Sequence, residues 1–401
     1  MTAEPSRPLC VLKVSDVYFP RINGVSTSLE TFRRGLEAQG HEVRLVAPGY
    51  PGHHPGEPGV HRVQSRYLPL DPEDRLMRRR ALGRTLAQVA QAHPPDLIHV
   101  HTPFLAHYAG LALGRRLGVP VVATYHTFFE EYLQHYLPAL LPRALLRAVA
   151  RRFSRRQCNA LDWLVVPSAA MARRLEHYGV TTPRSVIPTG LPPEAFRRGD
   201  GRRFRERLGI PAGAPMVLNV SRLAHEKNID FLLRAVARLR GRFPGLVFVL
   251  AGEGPAQSHL RALARRLGLA ESMRFVGYLD RRRELPDCYR AADLFLFASR
   301  TETQGLVLLE AMAQGVAVVS TAVMGTADIA GPERGALAPP EDDAAFAEAI
   351  AGLLADPARR TRLGEEAAAF AAGWDASRMA GRLAELYQGL LAAEPGDSRW
   401  L

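Results

Sequence analysis

Lysine is almost missing from this chain. Of its 52 lysines and arginines only Lys13 and Lys227 are lysines, so arginine carries the net charge of +12. Cysteine is equally sparse. Cys10, Cys158 and Cys288 lie far apart, and an odd number without close spacing argues against a disulfide framework or a zinc site. That usage fits a reduced, cytosolic setting. No apolar run reaches the ~20 residues that a membrane-spanning helix needs. The opening stretch MTAEPSRPLC holds prolines and a charge where a secretory signal would place an apolar segment.

Apolar residues are plentiful. Of 401 residues, 47% are hydrophobic and 23% charged, which describes a globular chain and excludes a disordered one. The length is too great for one ordinary core and suits two domains. The arginine excess has two readings: a general habit of the chain, or an anionic partner such as phosphate groups, nucleic acid or an acidic membrane surface.

Short runs of Val, Leu and Ile recur along the chain and alternate with amphipathic segments, the pattern of buried parallel strands and their crossover helices. The first series reads LCVLKVS, EVRLVAP, GVHRVQS, DLIHVHT, VPVVATYH, DWLVVPS and RSVIP, with helices such as GVSTSLETFRRGLEAQG and RRRALGRTLAQVAQAH between strands. PGYPGHHPGEPG is a loop. Proline, glycine and charge then accumulate in IPTGLPPEAFRRGDGRRF, as at a domain boundary. A second series follows: PMVLNVSR, GLVFVLAG, SMRFVGYL, ADLFLFAS and GVAVVST. The expected fold is α/β, with two doubly wound, Rossmann-like domains over residues 1–190 and 191–375 and a last helix, about 376–401, packing back on the first. Ligands of such sheets bind outside the carboxyl ends of the strands, and two such domains make the cleft between them the expected site.

One stretch departs from simple core logic. In SRTETQGLVLLEAMAQGVAVVST a carboxylate, Glu310, interrupts an apolar helix, and Glu302 precedes it by eight residues across Gly305. ADLFLFAS ends as a strand, RTETQG turns, and a helix starts near Gly305. The first backbone N–H groups of a helix lack intrahelical partners and carry positive potential, so Leu306 and Val307 are expected to hold phosphate through their main chain. Glu310, about one turn deeper, needs strong donors if buried, and a ribose diol supplies two. Glu302 is placed to meet the far end of the same ligand. The plainer alternative makes Glu302 a solvated loop residue and Glu310 an internal salt-bridge partner.

The E-x7-E spacing and the small-residue strand after it resemble the signature of GT-B fold retaining glycosyltransferases of family GT4. The likeness extends to FPRINGVSTS, NVSRLAHEKNID, LAGEGP and RFVGYL. It implies a sugar-nucleotide donor, a UDP- or GDP-sugar, lying mostly on the second domain, and neither cofactor nor metal; no D-x-D sequence is present. It implies that Arg222 and Lys227 contact the diphosphate and that Gly24 closes over it. Gly252 lies near the sugar or phosphates, backbone around Tyr278 holds the base, and His126 lies near the anomeric centre. His126, Glu302, Arg222 and Lys227 are thus the expected catalytic set. Gly24, Gly252, Tyr278, Gly305, Leu306, Val307 and Glu310 complete the substrate contacts. Lys227 with Glu226 as an ordinary surface ion pair is the plain alternative, and His99, His101 and His107 are expected to serve packing and the acceptor side. Where family members often carry paired glycines and a glutamate, this chain reads MGTADI, with Gly325 and Asp328.

The acceptor side is read from TFFEEYLQHYLPALLPRALLRAVARRFSRR. Arg143, Arg147, Arg151, Arg152, Arg155 and Arg156 recur on one helix, with Leu145, Leu146, Val149 and Phe153 expected elsewhere on it. This suggests a basic amphipathic helix on an anionic bilayer. YHTFFEEYLQHY, FPRINGVSTS and SRYLPL resemble the diacylglycerol glycosyltransferase branch, which implies a lipid acceptor and a peripheral place on the inner face of the cytoplasmic membrane. A soluble or polysaccharide acceptor and a GT-B-shaped sugar-nucleotide epimerase are the alternatives. No nucleic-acid recognition motif is present.

Overall fold

The computed structural model describes residues 7–51, 56–68, 71–126 and 143–392, and the chain divides into two compact units, residues 1–190 with 376–401, and residues 191–375. The stretch TFFEEYLQHYLPALLP lies outside the described residues, as do parts of PGYPGHHPGEPG and SRYLPL.

The first unit carries a seven-stranded sheet. In chain order its strands are β1 (Cys10–Val14), β2 (Glu42–Pro48), β3 (Val60–Val63), β6 (Leu97–Val100), β7 (Val121–Thr124), β8 (Trp163–Val166) and β9 (Arg184–Val186). Across the sheet the order is β3-β2-β1-β6-β7-β8-β9, and every pairing is parallel. A small antiparallel pair, β4 (Ser65–Leu68) with β5 (Asp71–Met77), is added after β3. No strand is expected there from the sequence, because Pro and charged residues mask its alternation.

The second unit carries β10 (Met216–Val220), β11 (Val247–Ala251), β12 (Met273–Gly277), β13 (Leu294–Phe297), β14 (Ala317–Ser320) and the two-residue β15 (Ala336–Leu337). Their order is β12-β11-β10-β13-β14-β15, again all parallel. Continuous apolar runs arise because both faces are covered. Val217, Phe248 and Leu250 point into one core with Phe231 and Phe346, while Leu218, Val249 and Phe295 point into another with Tyr289 and Leu308.

Helix starts follow local chemistry. The Asn23 side chain accepts from Ser26 N at 2.9 Å and opens helix Gly24–Ala38. The last helix, Ala376–Ala392, buries Met379, Leu383 and Tyr387 in the first unit's core and lies against helix Gly24–Ala38. Gly35 there abuts Ala380; a Cβ at residue 35 would fall 2.5 Å from the Ala380 Cβ.

Lys13 is fully buried at the centre of β1, its Nζ 5.7 Å from the Phe32 ring centroid and without a hydrogen-bond partner among the described residues. Burial, then repulsion from Arg33, lowers its pKa from 10.5 to about 7. Between those values the unfolded chain holds one more proton than the folded one, so stability climbs as pH rises through this window, and the full cost of burying the charge applies below about 7. Lys13→Met should therefore raise the unfolding free energy by on the order of a few kcal/mol at about pH 6.5, with the gain shrinking by about pH 9. Urea unfolding at both pH values checks this; equal stability of variant and parent throughout would contradict it.

Candidate active site

In the second unit β10 comes first and lies inside the sheet. The chain adds β11 and β12 on one side of it, then crosses over to add β13, β14 and β15 on the other. The winding reverses between β10 and β13, and the loops leaving their carboxyl ends diverge there, the general position for a ligand in a doubly wound sheet. Arg222 and Lys227 follow β10; Glu302, Gly305, Leu306 and Val307 follow β13.

Backbone hydrogen bonds brace the loop after β10 from both sides. Ser221 N donates to Ala251 O at 3.1 Å and Leu223 N to Glu253 O at 2.9 Å. Arg300 N donates to Glu226 O at 3.4 Å, tying the loop after β10 to the loop after β13. Gly252, at φ +127°, is required for this arrangement, because a Cβ there would come within 2.0 Å of the Ser221 carbonyl oxygen. Its role in the structure is thus to seat the backbone that carries Arg222, which is half-buried.

Lys227 sits in a short 3-10 turn, His225–Lys227, and its Nζ lies 2.5 Å from Glu302 Oε1, both side chains about one-fifth exposed (19% and 21%). The partner of Lys227 is therefore Glu302 across the switch point, and not the adjacent Glu226 of the plain alternative. Gly305, at φ +98°, precedes helix Leu306–Ala313, and Leu306 and Val307 are half-buried in its first turn. Gly325 N donates to Glu302 O at 2.9 Å, and a Cβ on Gly325 would come within 2.2 Å of the Thr303 carbonyl oxygen. The MGTADI segment thus buttresses the Glu302 turn. Tyr278 follows β12, farther along the same edge, and is half exposed.

Glu310 is buried, as its apolar setting demands, and its donors come from the protein. Tyr289 Oη donates to Oε2 at 2.7 Å, and Arg281 Nη2 pairs with Oε1. The carboxylate raises the pKa of Arg281, and burial followed by Glu310 keeps the Tyr289 phenol protonated. The sequence reading missed both partners. Arg281 is one of three consecutive arginines and Tyr289 lies inside a helix, so nothing local marks either. Tyr289 packs within the core, whereas the Arg281 side chain is partly exposed.

The first unit has the same topology, with its reversal between β1 and β6. Asp16 after β1 accepts from Thr102 Oγ1 at 2.7 Å and from Ala106 N at 3.1 Å, capping helix Leu105–Leu117 across the reversal. Burial raises its pKa to about 6, against those hydrogen bonds. This residue too escaped the sequence reading. Gly24 begins its helix at an ordinary φ, and a Cβ there would meet nothing within 4 Å, so packing does not demand glycine at this place. His126 follows β7, half-buried, with Nε2 3.2 Å from His101 Nδ1. His99 and His101 are buried beneath it, and His107 lies buried on helix Leu105–Leu117.

The arginine helix spans Arg143–Cys158. Arg147, Arg152, Arg155 and Arg156 are exposed and Arg151 half-buried. Val149 departs from expectation, being 53% exposed, because it shares the outward arc with Arg152 and Arg156, three and seven residues on, while Leu146 and Ala150 face inward. An open groove of about 490 Å³ is lined by Arg147, Ala148, Arg151, Arg152, Arg155 and Tyr178.

Residues 22–195 match the family model Glycosyltransferase Family 4, and residues 200–370 match Glycosyl transferases group 1. The alpha-monoglucosyldiacylglycerol synthase of Streptococcus pneumoniae is 31% identical over 76% of this chain and 69% of its own. The D-inositol 3-phosphate glycosyltransferase 2 of Catenulispora acidiphila is 34% identical over 89% of this chain and 88% of its own. Among solved structures, sucrose-phosphate synthase from Thermosynechococcus elongatus superposes with a TM-score of 0.79 at 22% identity, covering 96% of this chain and all (100%) of that one. Anabaena HepE in complex with UDP gives 0.73 at 19% identity, over 95% of this chain and 100% of its own. The chain therefore belongs to glycosyltransferase family 4, the hexosyltransferases of GT-B fold.

Proposed function

We propose that this enzyme moves a hexose from a UDP- or GDP-sugar to a hydroxyl of a membrane lipid of the diacylglycerol type, with retention of anomeric configuration. One observation carries the donor half: Lys227, one of only two lysines, pairs with Glu302 across the switch point, beside the helix that starts at Leu306. A compact cation, a helix N-terminus and a glycine at φ +98° together suit a diphosphate. In this reading the diphosphate takes Lys227 as its partner, Arg222 adds a second cation, and Gly252 and Tyr278 flank the sugar and base. The ribose hydroxyls reach Glu310 by displacing Arg281. Gly24 and His126 act from the first unit, at the phosphates and the donor sugar.

Retention by double displacement would need a carboxylate nucleophile on one face of the sugar. Among the described residues of the first unit the carboxylate at the switch point, Asp16, is already engaged by Thr102 and Ala106, so a front-face route is favoured. The bond from the anomeric carbon to the diphosphate oxygen breaks, an oxocarbenium-like species forms, and the acceptor hydroxyl attacks from the same side. Its proton passes to the departing phosphate. The task of Arg222, Lys227 and the N–H groups of Leu306 and Val307 is to stabilise the charge growing on that phosphate.

For the acceptor half, the arginine helix and its groove support a phosphate-rich surface, and a relative is named for diacylglycerol glucosylation. Among the described residues no helix is long and apolar enough to cross a membrane; a peripheral place on the inner face of the cytoplasmic membrane rests on the arginine helix. A second reading, a soluble phosphorylated acceptor, has support in the D-inositol 3-phosphate relative, which is more similar over more of the chain.

Three measurements test these assignments. Lys227→Ala should lower turnover by roughly 10²–10³-fold in a protein that still folds; near-normal turnover would remove Lys227 from the leaving-group role. Glu310→Gln should weaken UDP or GDP binding by at least ~10-fold in calorimetry, and unchanged affinity would refute the ribose contact. Vesicles containing anionic lipid should carry the protein upward in a flotation gradient, and release it as salt rises. Absence of flotation, with transfer to a soluble inositol phosphate, would establish the second reading.

A further inference from the structure

Three histidines of the first unit form a ladder. His99 lies in β6, His101 follows it, and His126 follows β7. The His99 and His101 rings stack with centroids 4.2 Å apart and planes 26° from parallel; His101 and His126 follow at 5.5 Å and 23°. His99 is fixed at both nitrogens, with Nδ1 2.5 Å from Tyr387 Oη on the last helix and Nε2 2.8 Å from Thr124 Oγ1. His101 therefore rests on an immobile platform and reaches His126 through a single contact, Nδ1 to Nε2, at 3.2 Å.

The proton in that contact has two arrangements. If His101 Nδ1–H donates, His126 Nε2 accepts, and His101 Nε2 is a bare lone pair. If His126 Nε2–H donates, His101 must carry its proton on Nε2. That atom is buried and has no hydrogen-bond partner among the described residues. A buried N–H without an acceptor is rarer and costlier than an acceptor left unused. The first arrangement is favoured. A third, with either ring protonated on both nitrogens, is opposed by the surroundings. Burial lowers the pKa of His126 to about 3 and that of His101 well below its usual value, and the Lys13 ammonium works in the same direction on both. His107, also depressed by burial, adds no counter-charge.

We propose that His101 is a positioning residue that holds His126 as its Nδ1–H tautomer, so that His126 meets its ligand as a hydrogen-bond donor and not as a base. The device has three parts: Tyr387 and Thr124 clamp His99, His99 sets the plane of His101, and the His101 proton fixes His126. It deepens the assignment of His126 to the donor sugar and rests on that assignment for its consequence in catalysis. In the transfer reaction such a histidine offers N–H to a sugar oxygen, and the acceptor proton goes elsewhere, to the departing phosphate.

Nitrogen-15 NMR of the full chain labelled at histidine tests this near neutral pH, with the His126 signals identified by their loss in His126→Gln. The expected spectrum shows His126 protonated at Nδ1 and bare at Nε2. His101→Asn, whose side-chain N–H2 takes the place of Nδ1–H, should keep that tautomer and most of the turnover. His101→Phe, which keeps the ring stack and removes the donor, should release His126 to a mixture, with kcat lowered roughly 10-fold and KM little changed. His126 protonated at Nε2 in the parent, or an unchanged Nδ1–H tautomer in His101→Phe, would overturn the proposal. A released tautomer with unaltered kcat would leave His101 in its positioning role and remove His126 from the donor sugar, so the two failures are distinguishable.

Discussion

A parallel sheet forces every strand to leave at its carboxyl end and return through a crossover. Where the winding reverses, two neighbouring loops must part, and the space between them cannot be filled by either crossover helix. In the second unit this happens between β10 and β13, and the rest of the site follows from it. The loop after β10 delivers two cations, Arg222 and Lys227, and the loop after β13 delivers Glu302 and a helix N-terminus. Their meeting is a charged pair at 2.5 Å. The pair is sound as it stands, yet each member is partly exposed, so an anion of higher charge has a cation within reach. The surrounding backbone is held by bonds between loops and by glycines that nothing larger could replace.

Glu310 shows how the same helix serves fold and site together. A carboxylate among Leu308, Leu309, Ala311 and Met312 is expensive to bury without donors. Tyr289 supplies one from the core and Arg281 another from the partly exposed side. The first belongs to the fold. The second comes from a partly exposed side chain, whose place the ribose takes in the proposed donor complex. The first unit repeats the economy in different residues: Asp16 closes its switch point, and the histidine ladder sets the state of His126 from beneath.

Much of this was legible in the sequence. The twelve expected strands are all present, because two-sided burial writes itself as unbroken runs such as VFVLA and LFLF. The turn at Gly305 and the cations after β10 were legible as well, since strand–turn–helix junctions carry their own residue types. What escaped depended on partners distant in sequence. Arg281 and Tyr289 reach Glu310 from a separate loop and helix, Tyr387 reaches His99 from nearly the end of the chain, and Asp16 meets Thr102 across the sheet. No periodicity records such pairings. The β4–β5 pair escaped for a local reason, because DPEDRLM lacks the apolar alternation that marks a strand.

The central claim is that the diphosphate of the donor is gripped at the β10–β13 switch point. A crystal structure with a bound sugar nucleotide tests it most directly. The account predicts the phosphates within hydrogen-bonding distance of Lys227 Nζ and the main-chain N–H of Leu306 or Val307, with the Lys227–Glu302 contact opened. Phosphates bound elsewhere, with that contact intact, would contradict it.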